Sequence, residues 1–534
     1  MTFVITHGCC NDGSCIPVCP VQCIRPRPGD PDFSTTEQLY IDPGTCIDCG
    51  ACMDECPVNA IYSEWDLPER LSDSLEINAA YFETNPINES SPPDPIHRRL
   101  PVGRSRLSVA VVGAGPAGCY AAAELSEIPG VSISVFERLP TPFGLVRAGV
   151  APDHSSTKLI ARQFGSVLAR SNVHCFFNVE VGRHISVQEL LEHHHAVVWA
   201  GGAGDDRRLG IPGEDLPGCV SAREFVAWYN GHPDFADRRF DFHGERVVVI
   251  GNGNVALDVA RVLAQPAAAL TATDMADHAI EALGHSTIVD VVVTGRRGPE
   301  YAAYTTGELS ALEHTPGVTL LAMADEVAHV CDAADRRSRI IAAAAKRGRA
   351  DGDRRITLRY GLRPEAINGT GSVESITFCR ADGTVERIEA SLVVRAIGYR
   401  GTAVAGLPFD DVTGTLSHYS GSVCDPATGE SVVGVYCSGW IKRGATGVIG
   451  TNRSDSAETV DAILHDFGAG RLPDPHHGLE HLGKLVKERQ PDVVDKHAWA
   501  RIDQSEQLRG REAGRPRRKF VRVSDLLAAS RPVS

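Results

Sequence analysis

The 534-residue chain has no uncharged run that reads as a membrane span. Its longest uncharged stretch, Leu107 to Ala123, is broken by Gly113, Gly115, Pro116 and Gly118, and so reads as a strand running into a glycine loop. No charged n-region, apolar segment and small-residue cleavage site open the sequence, so a cytoplasmic, reducing location is expected, with thiols reduced or metal-bound rather than paired. Lysine is absent from the first hundred residues, which carry 16 Asp and Glu against five Arg. With a net charge of −15 overall, nucleic acid and anionic membrane are excluded as general partners. Hydrophobic residues at 43% and charged residues at 23% rule out a coiled coil, a disordered tail protein or a fibrous repeat. What remains is a globular chain long enough for three or four domains of about 150 residues each.

Cysteine is concentrated where lysine is missing: nine of 16 lie within the first 56 residues. Cys46, Cys49, Cys52 and Cys56-Pro57 form a complete C-x2-C-x2-C-x3-C-P run, which bacterial two-cluster ferredoxins use to bind iron-sulfur cubanes. A zinc site would favour two separated C-x2-C knuckles and leaves three cysteines at intervals of three unexplained. The upstream half keeps Cys19-Pro20 but not the triplet. By the crossing rule, Cys19 completes a [4Fe-4S] cluster with Cys46, Cys49 and Cys52, while Cys56 crosses back to Cys9 and Cys15. The second set has three thiolates, as a [3Fe-4S] centre requires, with Cys10 or Cys23 as the alternative fourth ligand of a second [4Fe-4S] cluster. Cys23 reads as a packed thiol beside the cluster. The block resembles the seven-iron bacterial ferredoxins over about 60 residues.

The pattern predicts an α+β ferredoxin domain at 1–64, a polar linker or wrapping arm at 65–105, and then an α/β, doubly wound reductase of two Rossmann-like domains. Its FAD-binding domain comes in two parts, 106–206 and 392–534, around an NADP-binding domain at 207–391. Buried strands are expected at Ser108 to Val112, Val131 to Phe136, Ala196 to Ala200, Arg246 to Ile250, Val289 to Val293 and Leu392 to Ile397. A surface helix is expected over Ala333 to Arg349, its charges facing solvent.

Gly113-x-Gly115-x-Ala117-Gly118 runs from a strand into an Ala-rich helix, and its glycines let the backbone approach a pyrophosphate. Glu137 ends the next strand, where an acid takes a ribose hydroxyl pair and repels a 2′-phosphate. The segment Pro140 to His154 follows, and with the first loop it resembles the adrenodoxin reductase family of FAD-containing ferredoxin reductases. Residues 120 to 174 contain no cysteine, which excludes a disulfide reductase. A second loop, Gly251-Asn252-Gly253-Asn254-Val255-Ala256, is followed one strand later by Arg296-Arg297. Two guanidiniums in place of the acid suit the 2′-phosphate of NADP.

The resemblance extends over about residues 107 to 534. It implies flavin contacts at Ala117, Glu137, Leu145, Val181, Trp440, Gly447, Val448 and Ile449, and NADP contacts at Arg207, Asn252, Gly253, Asn254, Val255, Arg296, Arg297 and Glu308. It places His154 near the flavin, where the ring could orient or shuttle a proton. Ala311 stands where some relatives carry an acid. The fused arrangement resembles the actinobacterial ferredoxin/ferredoxin-NADP reductases. His193-His194-His195 reads as a polar end before a strand, because three consecutive side chains cannot face one ion from regular structure. The run Arg515 to Arg522 reads as a solvated face.

The function these readings predict is an NADPH:ferredoxin oxidoreductase with its own tethered acceptor. The alternative is an electron-input subunit similar to the small subunit of glutamate synthase, and a third is a non-enzymatic redox sensor. A monooxygenase or a separate ferredoxin is the expected downstream acceptor.

Overall fold

The computed structural model describes residues 2–87, 98–330, 335–348 and 354–532. In the N-terminal unit, strand Phe3–Ile5 pairs antiparallel with Ile61–Ser63, and Ile24–Arg25 pairs with Tyr40–Ile41. Phe3, Ile5, Ile24, Leu39, Ile41 and Ile61 pack around the cysteines, so the loops are folded over thiols rather than over an extended apolar core. Helix Asp73–Thr84 belongs to this unit. Its Asn78 accepts the N–H groups of Ile5 (3.2 Å) and Ile41 (2.9 Å) and donates to the Ile5 carbonyl (2.7 Å), strapping the two ribbons together. Of the two readings of 65–105, residues 65–87 are therefore not a linker but an arm packed on the N-terminal unit, which extends that unit past residue 64; residues 88–97 lie outside the described residues.

The half expected to hold the flavin, called the flavin half below, is built on a seven-stranded sheet. Five strands are parallel, in the order Ser431–Cys437, Ala196–Trp199, Leu107–Val112, Val131–Glu137 and Val173–Phe177. The central strands are almost wholly buried, as in a parallel sheet covered on both faces, while Val173–Phe177 at the edge alternates buried and half-buried positions. The other half holds six parallel strands, ordered Cys219–Ser221, Leu392–Arg395, Arg246–Ile250, Asp290–Thr294, Arg354–Arg359 and Val318–Ala322. Leu392–Arg395 sits second in that sheet, so the chain returns to the flavin half near residue 400 rather than at 392. The two crossings between the halves, Asp205–Asp206 and Tyr399–Arg400, pair antiparallel. Among the described residues no helix is long and apolar enough to cross a membrane.

Three surface readings change. The expected helix at 333–349 runs Arg336–Lys346, with residues 333, 334 and 349 outside the described residues. Its charges do not simply face solvent: Arg336 pairs with Asp73, Arg337 with Glu37 (2.9 Å) and Arg339 with Glu76, all three acids on the N-terminal unit. The basic run is likewise engaged. Arg517 pairs with Asp503 (2.6 Å) and Glu506 (2.7 Å), Lys519 with Asp274 (2.9 Å) and Arg515 with Asp277. The three histidines are buried and diverge: His193 Nε2 meets His481 Nδ1, His194 Nε2 meets the Ser134 hydroxyl, and His195 Nδ1 accepts the Ser108 N–H. Burial pushes His194 down to about 4.

Candidate functional site

The first glycine loop leaves helix Pro116–Ser126 without a side-chain cap at Gly115, so its leading N–H groups are open to an anion. A Cβ on Gly118 would lie 1.8 Å from the Gly113 carbonyl oxygen, which forces glycine where the helix crosses the strand end. Glu137 ends its strand within reach of this loop and accepts the N–H groups of Ala114 (3.0 Å) and Leu139 (3.1 Å). Burial pushes its carboxyl up, opposed by those two N–H groups. The segment after 438 returns to the same place. Ser456 donates to the Ala117 carbonyl (3.0 Å), Asp455 accepts the Gly439 N–H (2.5 Å), and Trp440 lies 5.3 Å from the Tyr399 ring with its Nε1–H on the Thr446 carbonyl. Leu145 stands on the short helix Gly144–Ala148 beside the loop, and Val448 N–H bonds the Thr451 hydroxyl at the start of the helix after Ile449. Val181 lies beyond Val179, whose N–H bonds the Glu137 carbonyl. The open helix end at Gly115, the Glu137 carboxylate and the returning segment at Gly439 thus lie together around the first glycine loop. With Gly118→Ala, purified protein should carry little or no FAD, measured as the flavin-to-protein ratio; an unchanged ratio would remove the loop from the flavin site.

In the second half, Gly253 likewise leaves helix Asn254–Ala264 uncapped. The Asn252 carbonyl accepts the N–H groups of Ala303 and Tyr304 (both 3.0 Å), and Asn254 Oδ1 accepts Thr305 N–H (2.8 Å), fixing the facing loop. Arg296 and Arg297 follow strand Asp290–Thr294, the parallel neighbour of Arg246–Ile250. Both are exposed, and among the described residues neither has a carboxylate partner; the Arg297 guanidinium lies 4.9 Å over the Tyr301 ring. An exposed arginine pair held in place and left unneutralised suits a phosphate. Arg207 is also exposed, at the crossing between the halves, its N–H on the Gly398 carbonyl.

Glu308 and His154 belong to one half-buried cluster around the buried Arg261, which the sequence alone did not assemble. Arg261 lies at its centre, donating to Asp153 (2.7 Å), Asp258 (2.6 Å) and His154 Nε2 (2.8 Å), with Glu308 at 3.7 Å. Burial pushes the Asp153 carboxyl up, but the guanidinium outweighs it and holds the group well below the usual range. Burial pushes Glu308 up. His154, Asp258 and Glu308 have metal-ligand spacing, yet the guanidinium already supplies the positive charge they share. The i, i+3 spacing of Asp258 and Arg261 was the available signal. His7 of the N-terminal unit packs on Gly307, next to Glu308, and burial lowers it to about 4, with His154 and Arg261 adding to the shift.

The cysteines fall into two groups. Cys19, Cys46, Cys49 and Cys52, with Cys23, line one cavity; Cys9, Cys15 and Cys56, with Cys10, line another. Backbone N–H groups point at four of the sulfurs: Asn11 at Cys9 (3.4 Å), Cys23 at Cys19 (3.4 Å), Asp48 at Cys46 (3.5 Å) and Ala60 at Cys56 (3.2 Å). Such donors favour thiolate and suit cluster ligation. Cys19→Ser should therefore deplete the cluster of Cys46, Cys49 and Cys52, and Cys56→Ser the cluster of Cys9 and Cys15, read by electron paramagnetic resonance. Loss of the Cys9 and Cys15 cluster on replacing Cys19 would contradict the crossing.

The pyridine nucleotide-disulphide oxidoreductase family matches residues 107–441, and the 4Fe-4S binding domain family matches residues 39–62. A probable ferredoxin/ferredoxin–NADP reductase of Mycobacterium leprae (strain TN) is 46% identical over 544 residues, covering 99% of this chain and 98% of the relative. The NADPH-ferredoxin reductase FprA of Mycobacterium tuberculosis (strain H37Rv) is 40% identical, covering 78% of this chain and 98% of its own. The solved structure of M. tuberculosis FprA in complex with NADPH superposes with a TM-score of 0.75 at 40% identity, over 80% of this chain and 99% of that one.

Proposed function

The chain belongs to the family of ferredoxin/ferredoxin–NADP reductases, and from that premise we infer that its own N-terminal ferredoxin is the first acceptor of the electrons its reductase takes from NADPH. It is an NADPH:ferredoxin oxidoreductase, an enzyme of FAD, NADP and iron-sulfur chemistry. The observation that carries the tethered-acceptor reading is the close seat of the cysteine unit on the flavin half. Gly450, next to Ile449, donates its N–H to the Cys10 carbonyl (2.6 Å), and a Cβ there would meet Asn11 at 2.0 Å.

A bound FAD would supply the chemistry that joins a two-electron hydride donor to one-electron clusters. The chain's residues do the placing. Arg296 and Arg297 hold the 2′-phosphate, the open helix end at Gly253 with Asn252 and Val255 holds the pyrophosphate, and Arg207 adds positive charge at the crossing. Glu137 would hold the adenosine ribose of an FAD, and Ala117, Leu145, Val181, Trp440 and Gly447 to Ile449 would hold the rest of it. Arg261 can only donate, so His154 accepts at Nε2 and its ring proton resides on Nδ1; Glu308 lies 3.6 Å away. Tethering raises the acceptor's effective concentration to about the millimolar range.

The cavity of Cys9, Cys15 and Cys56 suits a [3Fe-4S] cluster beside the [4Fe-4S] cluster of Cys19, Cys46, Cys49 and Cys52. Cys10 and Cys23 then serve as packing thiols. An iron and sulfide determination with low-temperature paramagnetic resonance tests this: seven irons and a three-iron signal in the oxidised protein are expected, and eight irons without it would overturn the assignment. The reading places the enzyme in the cytoplasm, with a monooxygenase or separate ferredoxin as the final acceptor.

A further inference from the structure

We propose that the two cluster sites work in series, with the Cys9, Cys15 and Cys56 site on the flavin side and the Cys19, Cys46, Cys49 and Cys52 site as the outlet, and that the surface over the outlet binds a one-electron acceptor protein with a cationic rim. The proposal rests on the tethered-acceptor reading.

The order follows from what each cavity touches. Cys10, Val58 and Ala60 line the first cavity and are also packed into the flavin half's core with Ala114, Tyr120 and Phe143. Asp12, from the loop between Cys9 and Cys15, accepts the Tyr120 hydroxyl (2.8 Å), and its carbonyl accepts Arg453 (2.9 Å). Every one of these contacts reaches the segments around the flavin cradle. The second cavity is lined only by residues 3 to 52. Among the described residues no hydrogen bond or ion pair joins residues 42–55 to the reductase, and its mouth is open: Cys49 is exposed, Ile47 is 58% exposed and Met53 44%. Tunnelling falls off exponentially with distance, so the buried site is the one within reach of the flavin and the open one is within reach of a partner.

The charges divide in the same way. Asp12, Glu37, Asp73 and Glu76 face the reductase and are paired with Arg453, Arg337, Arg336 and Arg339. Asp54 and Glu55, beside Cys52 and Met53, are exposed and have no ion pair among the described residues. An apolar contact flanked by the two unneutralised carboxylates of Asp54 and Glu55 selects a partner with Lys or Arg beside an apolar redox face. The electrons balance: NADPH becomes NADP+ and a proton and gives up two electrons, and two acceptor molecules each gain one.

The test uses the full-length holoprotein with cytochrome c, a basic one-electron haem protein, as probe. Asp54→Lys/Glu55→Lys should weaken cytochrome c binding at low salt at least about tenfold by calorimetry. NADPH should still reduce both clusters in that variant, seen by paramagnetic resonance. Unchanged binding would overturn the docking surface. In Cys49→Ser, NADPH should still reduce the cluster of Cys9, Cys15 and Cys56 while cytochrome c reduction falls at least tenfold. In Cys15→Ser, the flavin should be reduced and the outlet cluster left oxidised. The reverse pattern would overturn the order; should Cys15→Ser not fold, Cys49→Ser alone decides it. Failure of the underlying reading looks different, since NADPH would then reduce neither cluster in the unaltered protein.

Discussion

Replacing Arg296 and Arg297 together with glutamine should lower kcat/KM for NADPH by about 10² to 10⁴ and leave NADH within a few-fold. Each lost charge-assisted contact costs roughly 1.5–3 kcal/mol, and about 1.4 kcal/mol is a factor of ten. Among the described residues neither arginine has a carboxylate to leave unpaired, and both are exposed, so the fold should not suffer. Arg297 is held over the Tyr301 ring, which reduces the side-chain freedom lost when phosphate binds. The effect should fall on KM more than on kcat, because a ribose phosphate distant from the reacting carbon is bound equally in ground and transition states. Steady-state kinetics with both nucleotides, using ferricyanide as acceptor, decides the matter; equal losses for NADPH and NADH would take the pair out of the nucleotide site.

Separating the two units should have an effect of similar size on a different step. A reductase expressed from Arg98 to Ser534 should keep FAD and reduce ferricyanide with NADPH. The start matters, because Arg98 donates to Asp461 (2.6 Å) and Glu124 (2.6 Å) and ties the chain's entry to the flavin half. Transfer to a separately added ferredoxin unit at about 1 μM should then be about 10³-fold slower than within the intact chain, the ratio of that concentration to a millimolar effective one. It should also slow with salt, since the ion pairs of Arg336, Arg337, Arg339 and Arg453 with the ferredoxin become a bimolecular attraction screened over about 8 Å at physiological ionic strength. Stopped-flow mixing measures both. A fragment that folds without flavin would mean that the N-terminal unit completes the flavin cradle.

The chemistry-bearing parts of this protein are local in sequence, and so they were legible. A dinucleotide cradle needs a strand end, glycines and a helix start within a dozen residues, and a cubane needs three thiols at intervals of three; both patterns survive without knowledge of the fold. Three of the five parallel strands of the flavin sheet, Leu107–Val112, Val131–Glu137 and Ala196–Trp199, were visible as β-branched runs; Val173–Phe177, which carries a histidine and alternates buried with half-buried positions, and Ser431–Cys437, which begins exposed and holds Gly434, were not. Helix Asp73–Thr84 was hidden for the opposite reason: its buried positions are Ser74 and Asn78, so no apolar stripe marks it, and it is held by amide hydrogen bonds instead. The strand at Leu392–Arg395 was visible, but its sheet was not, since a buried parallel strand looks the same wherever it inserts. The junction between the units was the least readable part. Arg336 and Asp73 are 263 residues apart and Arg453 and Asp12 are 441 apart, and a charged helix carries no sign of whether its partner is water or a distant carboxylate. The Arg261 cluster sits between these extremes, half in a glycine-loop helix and half in the loop at Asp153.

The central claim is that electrons from NADPH reach iron-sulfur clusters within one chain. Anaerobic mixing of the full-length protein with NADPH and a regenerating system, with no other electron carrier present, tests it most directly. Flavin bleaching followed by loss of the iron-sulfur absorption and a change in the clusters' paramagnetic resonance, at a rate independent of protein concentration, is the predicted result. Flavin bleaching with every cluster signal unchanged, or cluster reduction whose rate rises with protein concentration, would contradict it.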